Sequence, residues 1–294
     1  MAHKITGGYR LFSIINHCLL LLLAVSCMLP LLHILALSFS SGSAVTAGKV
    51  TFWPVDWTIA AYENVFGKKE YLAAFWISIK RVLLGTTLNM LLTILIAYPL
   101  SKENSHFKGR TLYAWYFVFT MLFSGGLIPW YMVIRETGLM DTIWALVLPS
   151  AVPIFNVIVL LNFFRGLPKE LEESAKMDGA GPFTVLWRIY VPLSLPALAT
   201  ILLFAVVGHW NSWFDGLILA NRTENYPLQS FLHTIIIKLD PAYLTPKEAE
   251  LAALMNDRTS RAAQIFVAAF PILIVYPFLQ RFFMKGIVLG SVKE

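Results

Sequence analysis

Six apolar stretches, each long enough or nearly long enough to cross a bilayer, divide this chain. They run roughly over Leu11–Leu37, Val82–Leu100, Leu112–Ile134, Ile143–Phe164, Leu193–Leu219 and Ala262–Phe283. About 20 helical residues span the hydrocarbon, and a backbone in lipid has to satisfy its own polar groups. The predicted fold is therefore all-α: a polytopic membrane protein with six transmembrane helices, a single domain over 1–294. Charge supports this, because only 14% of the residues are Asp, Glu, Lys or Arg, against roughly a quarter in soluble domains.

The formal charge of +6 does not point to nucleic acid, because the basic residues sit in short segments between apolar runs rather than on one solvated face. They read instead as topology signals. Segments on one side carry Lys4, Arg10, Lys102, Lys108, Arg110, Arg165, Lys169, Lys176, Arg188, Arg281, Lys285 and Lys293, twelve cations against six acids. The other side holds nine cations against ten acids. Basic residues favour the cytoplasm, so both termini are expected there. Lys80 and Arg81, at the start of the second run, are expected to snorkel to the interface.

Cys18 and Cys27 lie nine residues apart in the first run. On a helix that is about 13 Å, too far for a disulfide, and apolar filler is the expected role. Ala24-Val25-Ser26-Cys27 loosely resembles a lipoprotein cleavage box, but the apolar run continues to Leu37, so an uncleaved span is expected.

Three runs carry helix-breaking residues: Gly125-Gly126 and Pro129; Pro149 and Pro153; Pro271 and Pro277. Such breaks survive in a bilayer only where protein or a wet cavity takes up the freed backbone groups. Either helix packing or a substrate path accounts for them. Two long segments, 38–80 and 222–261, are expected on the extracytoplasmic side as docking loops. The first holds Trp53, Trp57 and Tyr62, and the second Pro227, Pro241 and Pro246.

The most specific signal is the cytoplasmic segment 167–192. Pro168 suits a first helical position, Glu170, Glu172 and Glu173 suit the positive end of the helix dipole, and Gly179 suits a left-handed stop. A helix of about ten residues, roughly 15 Å long, is predicted. Being acidic, it is poorly matched to an anionic leaflet and better matched to a groove on a protein partner.

Within it, Glu173-Ser174-Ala175, Gly179 and Ile189-Tyr190-Val191-Pro192 resemble the EAA loop of ABC importer permeases, E-A-A-x-x-x-G and then I-x-L-P at matching spacing. Ser174 and Val191 depart from that pattern conservatively. The resemblance implies a type I importer permease fold and a short helix that docks into a separate ATPase subunit. It makes Glu173, Ser174, Ala175, Asp178, Gly179 and Ala180 the coupling contacts. Ala97-Tyr98-Pro99-Leu100-Ser101, Trp210-Asn211-Ser212-Trp213-Phe214 and the Met284-Lys285-Gly286 to Gly290 tail are similar to carbohydrate-uptake permeases. The resemblance is to the second permease of maltose importers and, through that tail and the large last outer loop, closer still to permeases for large or acidic oligosaccharides, the alginate importer among them.

The partners implied are a second and different permease, two ATPase subunits holding ATP and Mg, an extracytoplasmic solute-binding protein, the oligosaccharide and the bilayer. No cofactor is implied on this chain. Its nearest approach to a phosphate loop, Gly42 to Gly48-Lys49, ends in Val50 where Ser or Thr is needed. The sequence carries no H-E-x-x-H, C-x-x-C or G-x-S-x-G pattern either, so neither a metal site nor an enzymatic centre is expected.

Trp210, Asn211, Trp213 and Asp215 in the fifth run, with Tyr131 and Asn156 beside the breaks, are candidates for a substrate path. Aromatic faces stack on sugars, and amides bond to them. The spacing of four puts Asn211 and Asp215 on one helical face, and an acid in a span faces protein or water. His17, His33 and His209 are expected to bond between helices. An ion-driven transporter, which would show repeated halves, and an intramembrane enzyme, which would need a nucleophile–base pair, are the competing classes.

Overall fold

A computed structural model describes residues 7–103, 107–238 and 258–291. Lys4, Pro241, Pro246 and Lys293, used above, lie outside them, as does much of the 222–261 segment. Among the described residues three helices are long and apolar enough to cross a membrane alone: α1 (Gly7–Ser38), α4 (Lys69–Ser101) and the first part of α15 (Arg258–Ser291). The other three predicted spans are bent pairs. Helices α5 (Arg110–Leu122) and α6 (Leu127–Glu136) meet at 111°. Helix α7 (Ile143–Val147), extended to Ser150 by a 3-10 turn, meets α8 (Ile154–Arg165) at 45°. The segment 182–193 meets α12 (Leu195–Asn211) at 83°.

The breaks fall where the sequence removes backbone support. Gly126 adopts a left-handed φ of +88°, a conformation that strains any residue with a Cβ, and α5 ends four residues before it. Pro153 sits in an extended conformation immediately before α8. The second span differs from expectation at its start, with helix beginning at Lys69 rather than Val82.

The chain forms two compact units. The first holds residues 1–69 and 237–270. In it α1 is exposed along its apolar window, as a lipid-surrounded helix has to be. Its C-terminal end carries a small cap built from α2 (Gly42–Thr46), α3 (Ala60–Gly67) and the connecting turns. Ala36, Ala44, Val45 and Val50 are buried together there. The Phe39 ring stacks on Trp57 at 5.9 Å, and Ser38 Oγ meets the Tyr62 hydroxyl at 2.8 Å. Asn64 donates to Ser260 of α15 at 3.2 Å. Cys18 and Cys27 are free and exposed.

The second unit, 70–236 with 271–294, contains α4 to α14. Between α8 and α12 run α9 (Glu170–Met177), α10 (Pro182–Val185), a single π-helical turn at Leu186–Tyr190 and α11 (Val191–Leu193). After α12 come α13 (Phe214–Leu219) and α14 (Leu228–Lys238). Its main core joins the end of α4 (Ile94, Ala97, Leu100) to α8 (Val157, Leu160, Phe164) and to Val185, Leu186, Tyr190 and Ile201. A second cluster, Ile134, Ala145, Leu146 and Leu219, joins α6, α7 and α13. Asp141 fastens that cluster by accepting from the backbone N–H groups of Asn221 at 2.9 Å and Arg222 at 3.2 Å.

Candidate functional site

Helix α9 is eight residues long and starts two residues later than Pro168. Its three glutamates occupy the first turn, and Gly179 takes φ +80°. The stop is a Schellman motif: Gly179 N–H donates to Lys176 O at 3.0 Å, and Ala180 N–H donates to Ala175 O at 2.9 Å. Ala175 and Ala180 pack against the main core, so the small residues of this loop serve its own folding. Glu173, Ser174, Asp178 and Gly179 are exposed.

Glu172, one residue earlier, faces inward. Its carboxylate accepts from Lys102 Nζ at 2.6 Å, the Tyr190 hydroxyl at 2.5 Å and Lys176 Nζ at 2.9 Å. Burial raises its pKa, but these three donors outweigh burial and bring it down to about 2. Lys102 moves below its usual value, because burial outweighs the help of its one carboxylate partner. Its ammonium lies 4.0 Å from the ring centres of both Tyr98 and Tyr190, a cation–π arrangement. Outside this cluster Lys169 pairs with Glu103, which raises the lysine pKa. Arg165 donates to Leu100 O at 3.3 Å and Arg110 to Lys102 O at 3.1 Å, capping the negative end of α4.

Elsewhere in this unit an open cleft of about 910 Å³ is lined by Ser124–Leu127, Pro129, Trp130, Val133, Leu148, Pro149, Ser212, Phe214 and Asp215. Two of the helix-breaking sites that the sequence marks, Gly125-Gly126 with Pro129 and Pro149, line its wall, as do Ser212 and Phe214 just after the end of α12.

Polar side chains of α4 stand behind that wall. Arg81 is buried and makes a bidentate ion pair with Asp215 while donating to Ser212 O at 3.3 Å. Snorkelling is thus not what Arg81 does, since the partly buried carboxylate of Asp215 neutralises it in place. Asn89 donates to Ser150 O at 2.7 Å and Ala151 O at 2.9 Å, and its Oδ1 lies 2.7 Å from His209 Nε2. His209 therefore bonds between helices as expected. His17 instead bonds to Ser13 O within α1, and His33 to Thr51 O in the following cap.

The path candidates separate. Helix α12 ends at Asn211, so Asn211 and Asp215 do not share a helical face. Asn211 is exposed, and Asp215 lies on the cleft and on Arg81. Trp210 is buried, edge-on to Phe75 at 5.9 Å. The Trp213 ring stacks on His233 at 4.0 Å. Tyr131 packs against the cluster around Leu146, and Asn156 is buried in α8.

A family model described as binding-protein-dependent transport system inner membrane component matches residues 5–288. The chain belongs to this family. The permease is 41% identical over 291 residues to Protein LplC of Bacillus subtilis, covering 99% of this chain and 97% of the relative. It is 39% identical to the polygalacturonan/rhamnogalacturonan transport system permease protein YtcP of the same organism, covering 97% and 99%. Among solved structures, a chain of a bacterial ABC transporter involved in import of the acidic polysaccharide alginate superposes with a TM-score of 0.84 at 33% identity. That match covers 95% of this chain and 98% of the other. As a permease of this kind the chain is non-catalytic.

Sequence reasoning missed the Glu172 cluster and the Arg81–Asp215 pair of this permease. Tyr98, Glu172 and Tyr190 all lie inside the motifs quoted above, but nothing in their spacing signals that they meet. Arg81 and Asp215 are separated by 134 residues, and each was assigned to a different surface.

Proposed function

We propose that this permease is one of two different membrane subunits of an importer that takes up acidic oligo- or polysaccharides. Two ATPase subunits, binding ATP and Mg, drive it from the cytoplasm, and an extracytoplasmic binding protein delivers the sugar. Both termini and the 167–192 loop face the cytoplasm, and segments 38–80 and 222–261 face outward to meet the binding protein. The observation that carries this reading is α9, a short acidic helix whose Glu173, Ser174 and Asp178 are exposed while its inner side is fixed to the core. Its exposed face suits a groove on a partner. Glu173 supplies a carboxylate for a cation there, and Ala175, Gly179 and Ala180 shape the turn that presents it.

The cleft beside these breaks forms this permease's share of the passage. Trp130 and Phe214 offer faces for sugar rings, and Ser124 and Ser212 offer hydroxyls. Of the other candidates, Asn211, Trp213 and Asp215 border the same region, whereas Trp210, Tyr131 and Asn156 hold its walls. Relatives named for polygalacturonan and alginate support an acidic substrate. Closure of the ATPases then displaces α9 and shifts the spans between inward- and outward-facing states.

The test is affinity purification of the whole complex from its native membrane. Wild type is expected to bring a phosphate-loop ATPase and a second permease, and Glu173→Lys is expected to retain the permease and lose at least tenfold of the ATPase, the order expected for reversing a charged contact. Full ATPase recovery with Glu173→Lys refutes the docking role.

A further inference from the structure

A docked helix transmits movement only if something stiff ties it to the spans. Helix α9 is joined to α8 through Gly166-Leu167-Pro168 and to α10 through Gly179-Ala180-Gly181, connections that by themselves leave it free to swivel. Besides the packing of Ala175 and Ala180 on the core, what opposes swivelling is the cluster around Glu172. It draws on four elements: Glu172 and Lys176 from α9, Tyr98 and Lys102 from the end of α4, Tyr190 from the π turn and Phe164 from α8. The rings of Tyr98 and Phe164 meet Tyr190 edge-on at 5.1 and 5.3 Å. Glu172 and Lys102 side chains are only 12% and 15% exposed, so water competes little for the pair.

The π turn is the second observation. Its hydrogen-bond ladder is one residue too wide, a local device associated with functional sites. Tyr190 is its last residue, and only α11 separates it from the 83° break that opens α12. A pull on the Tyr190 hydroxyl therefore acts on the element best able to change register ahead of that span.

We infer that the Glu172–Lys102–Tyr190–Tyr98 cluster is the joint that passes displacement of α9 to α4 and α12, with Glu172 and Tyr190 as its positioning residues. The inference rests on α9 being the coupling helix, and it separates two jobs within one short segment. Glu173 holds the partner, and Glu172 holds the spans.

The experiment uses the complete importer in proteoliposomes, with Cys18 and Cys27 replaced by serine. Spin labels are placed at exposed Phe119 of α5 and exposed Phe204 of α12, and their separation is read with and without ATP plus vanadate. Tyr190→Phe keeps the ring and removes one bond to the carboxylate, and Glu172→Gln keeps the shape and removes the charge. Both are expected to retain the ATPase subunits and ATP hydrolysis within about twofold. The occupancy of the shifted separation is expected to fall about tenfold, as for loss of one charge-assisted hydrogen bond.

A shift of wild-type size in both variants overturns the joint. So does loss of the ATPase subunits from Tyr190→Phe, which would make the cluster a support for docking alone. Failure of the coupling-helix assignment reads differently, as ATPase retention by Glu173→Lys. If Glu172→Gln does not insert, Tyr190→Phe decides alone.

Discussion

Gly85 of α4 is the position where the smallest change has the largest calculable consequence. A Cβ built there lies 2.4 Å from His209 Nε2, 2.5 Å from Cε1 and 2.8 Å from Cδ2. Ordinary contact begins about 1 Å further out, so Gly85→Ala drives the imidazole off its site. Both residues are buried, so the ring cannot move aside into solvent. Overpacking of this kind costs about 1–3 kcal/mol. Displacing the ring also breaks the His209–Asn89 bond and strands a buried polar atom, for about 1–3 kcal/mol more. Gly-to-Ala in a helix interior returns about 1 kcal/mol. The net expectation is a loss of about 1–5 kcal/mol. At about 2–4 °C per kcal/mol for a unit of this size, the solubilised permease should melt roughly 2–20 °C lower by fluorescence-detected size exclusion. The decisive comparison is a double-mutant cycle. His209→Ala is destabilising alone, because it empties a buried site and leaves Asn89 Oδ1 unpartnered. With the ring gone, however, the added methyl has space, so Gly85→Ala should cost little or nothing in the His209→Ala background. Equal costs of Gly85→Ala in the two backgrounds, or wild-type melting of the single variant, would refute the close approach.

Two further outcomes follow from the charges. Because the folded pKa of Glu172 is lowered from 4.5 to about 2, its contribution is fully present above pH 4.5 and is lost as pH falls towards 2; it is on the order of 2–3 kcal/mol. Melting of wild type between pH 7 and 3 should fall more steeply than that of Glu172→Gln, and parallel profiles would contradict the three-donor environment. Asp215→Asn should leave Arg81 buried without its counter-charge and cost about 3–5 kcal/mol, whereas the paired Arg81→Met/Asp215→Leu change should recover most of it; insertion yield and melting temperature of the three proteins distinguish these cases.

The six spans were legible because hydropathy over twenty residues is an average, insensitive to any one side chain. Where the average was cut short, the cause is local. Ser78, Lys80 and Arg81 ended the second run at Val82 on paper, yet Ser78 and Arg81 are buried and partnered, Ser78 by accepting from Leu228 N–H at 2.8 Å, and the helix continues back to Lys69. Gly125-Gly126 and Pro153 announced breaks but not their angles, which depend on what the two halves pack against. Gly179 was read correctly as a left-handed stop because a Schellman turn is specified within six residues. The Glu172 joint was not readable, since its members come from three stretches of chain that only the fold brings together.

The polar residues of α4 have a common purpose that their chemistry alone would not suggest. Arg81, Gly85 and Asn89 are spaced four apart, along one side of the helix. Asn89 satisfies two carbonyls at the break before α8, Arg81 satisfies one at the end of α12, and Gly85 admits the His209 ring between them. A carbonyl left unpaired in hydrocarbon costs several kcal/mol, so a bent span needs such a partner wherever lipid or protein excludes water. An amide, a guanidinium and an imidazole in these spans would ordinarily be taken for ligand contacts. Here their hydrogen-bonding capacity is directed to backbone groups, to one another and, for Arg81, to Asp215 of the cleft wall, and none of the three lines the cleft itself. Their substitution should accordingly reduce stability for every substrate alike. If the cleft is the passage proposed above, discrimination among sugars should instead respond to changes at Ser124, Trp130 and Phe214, which line it.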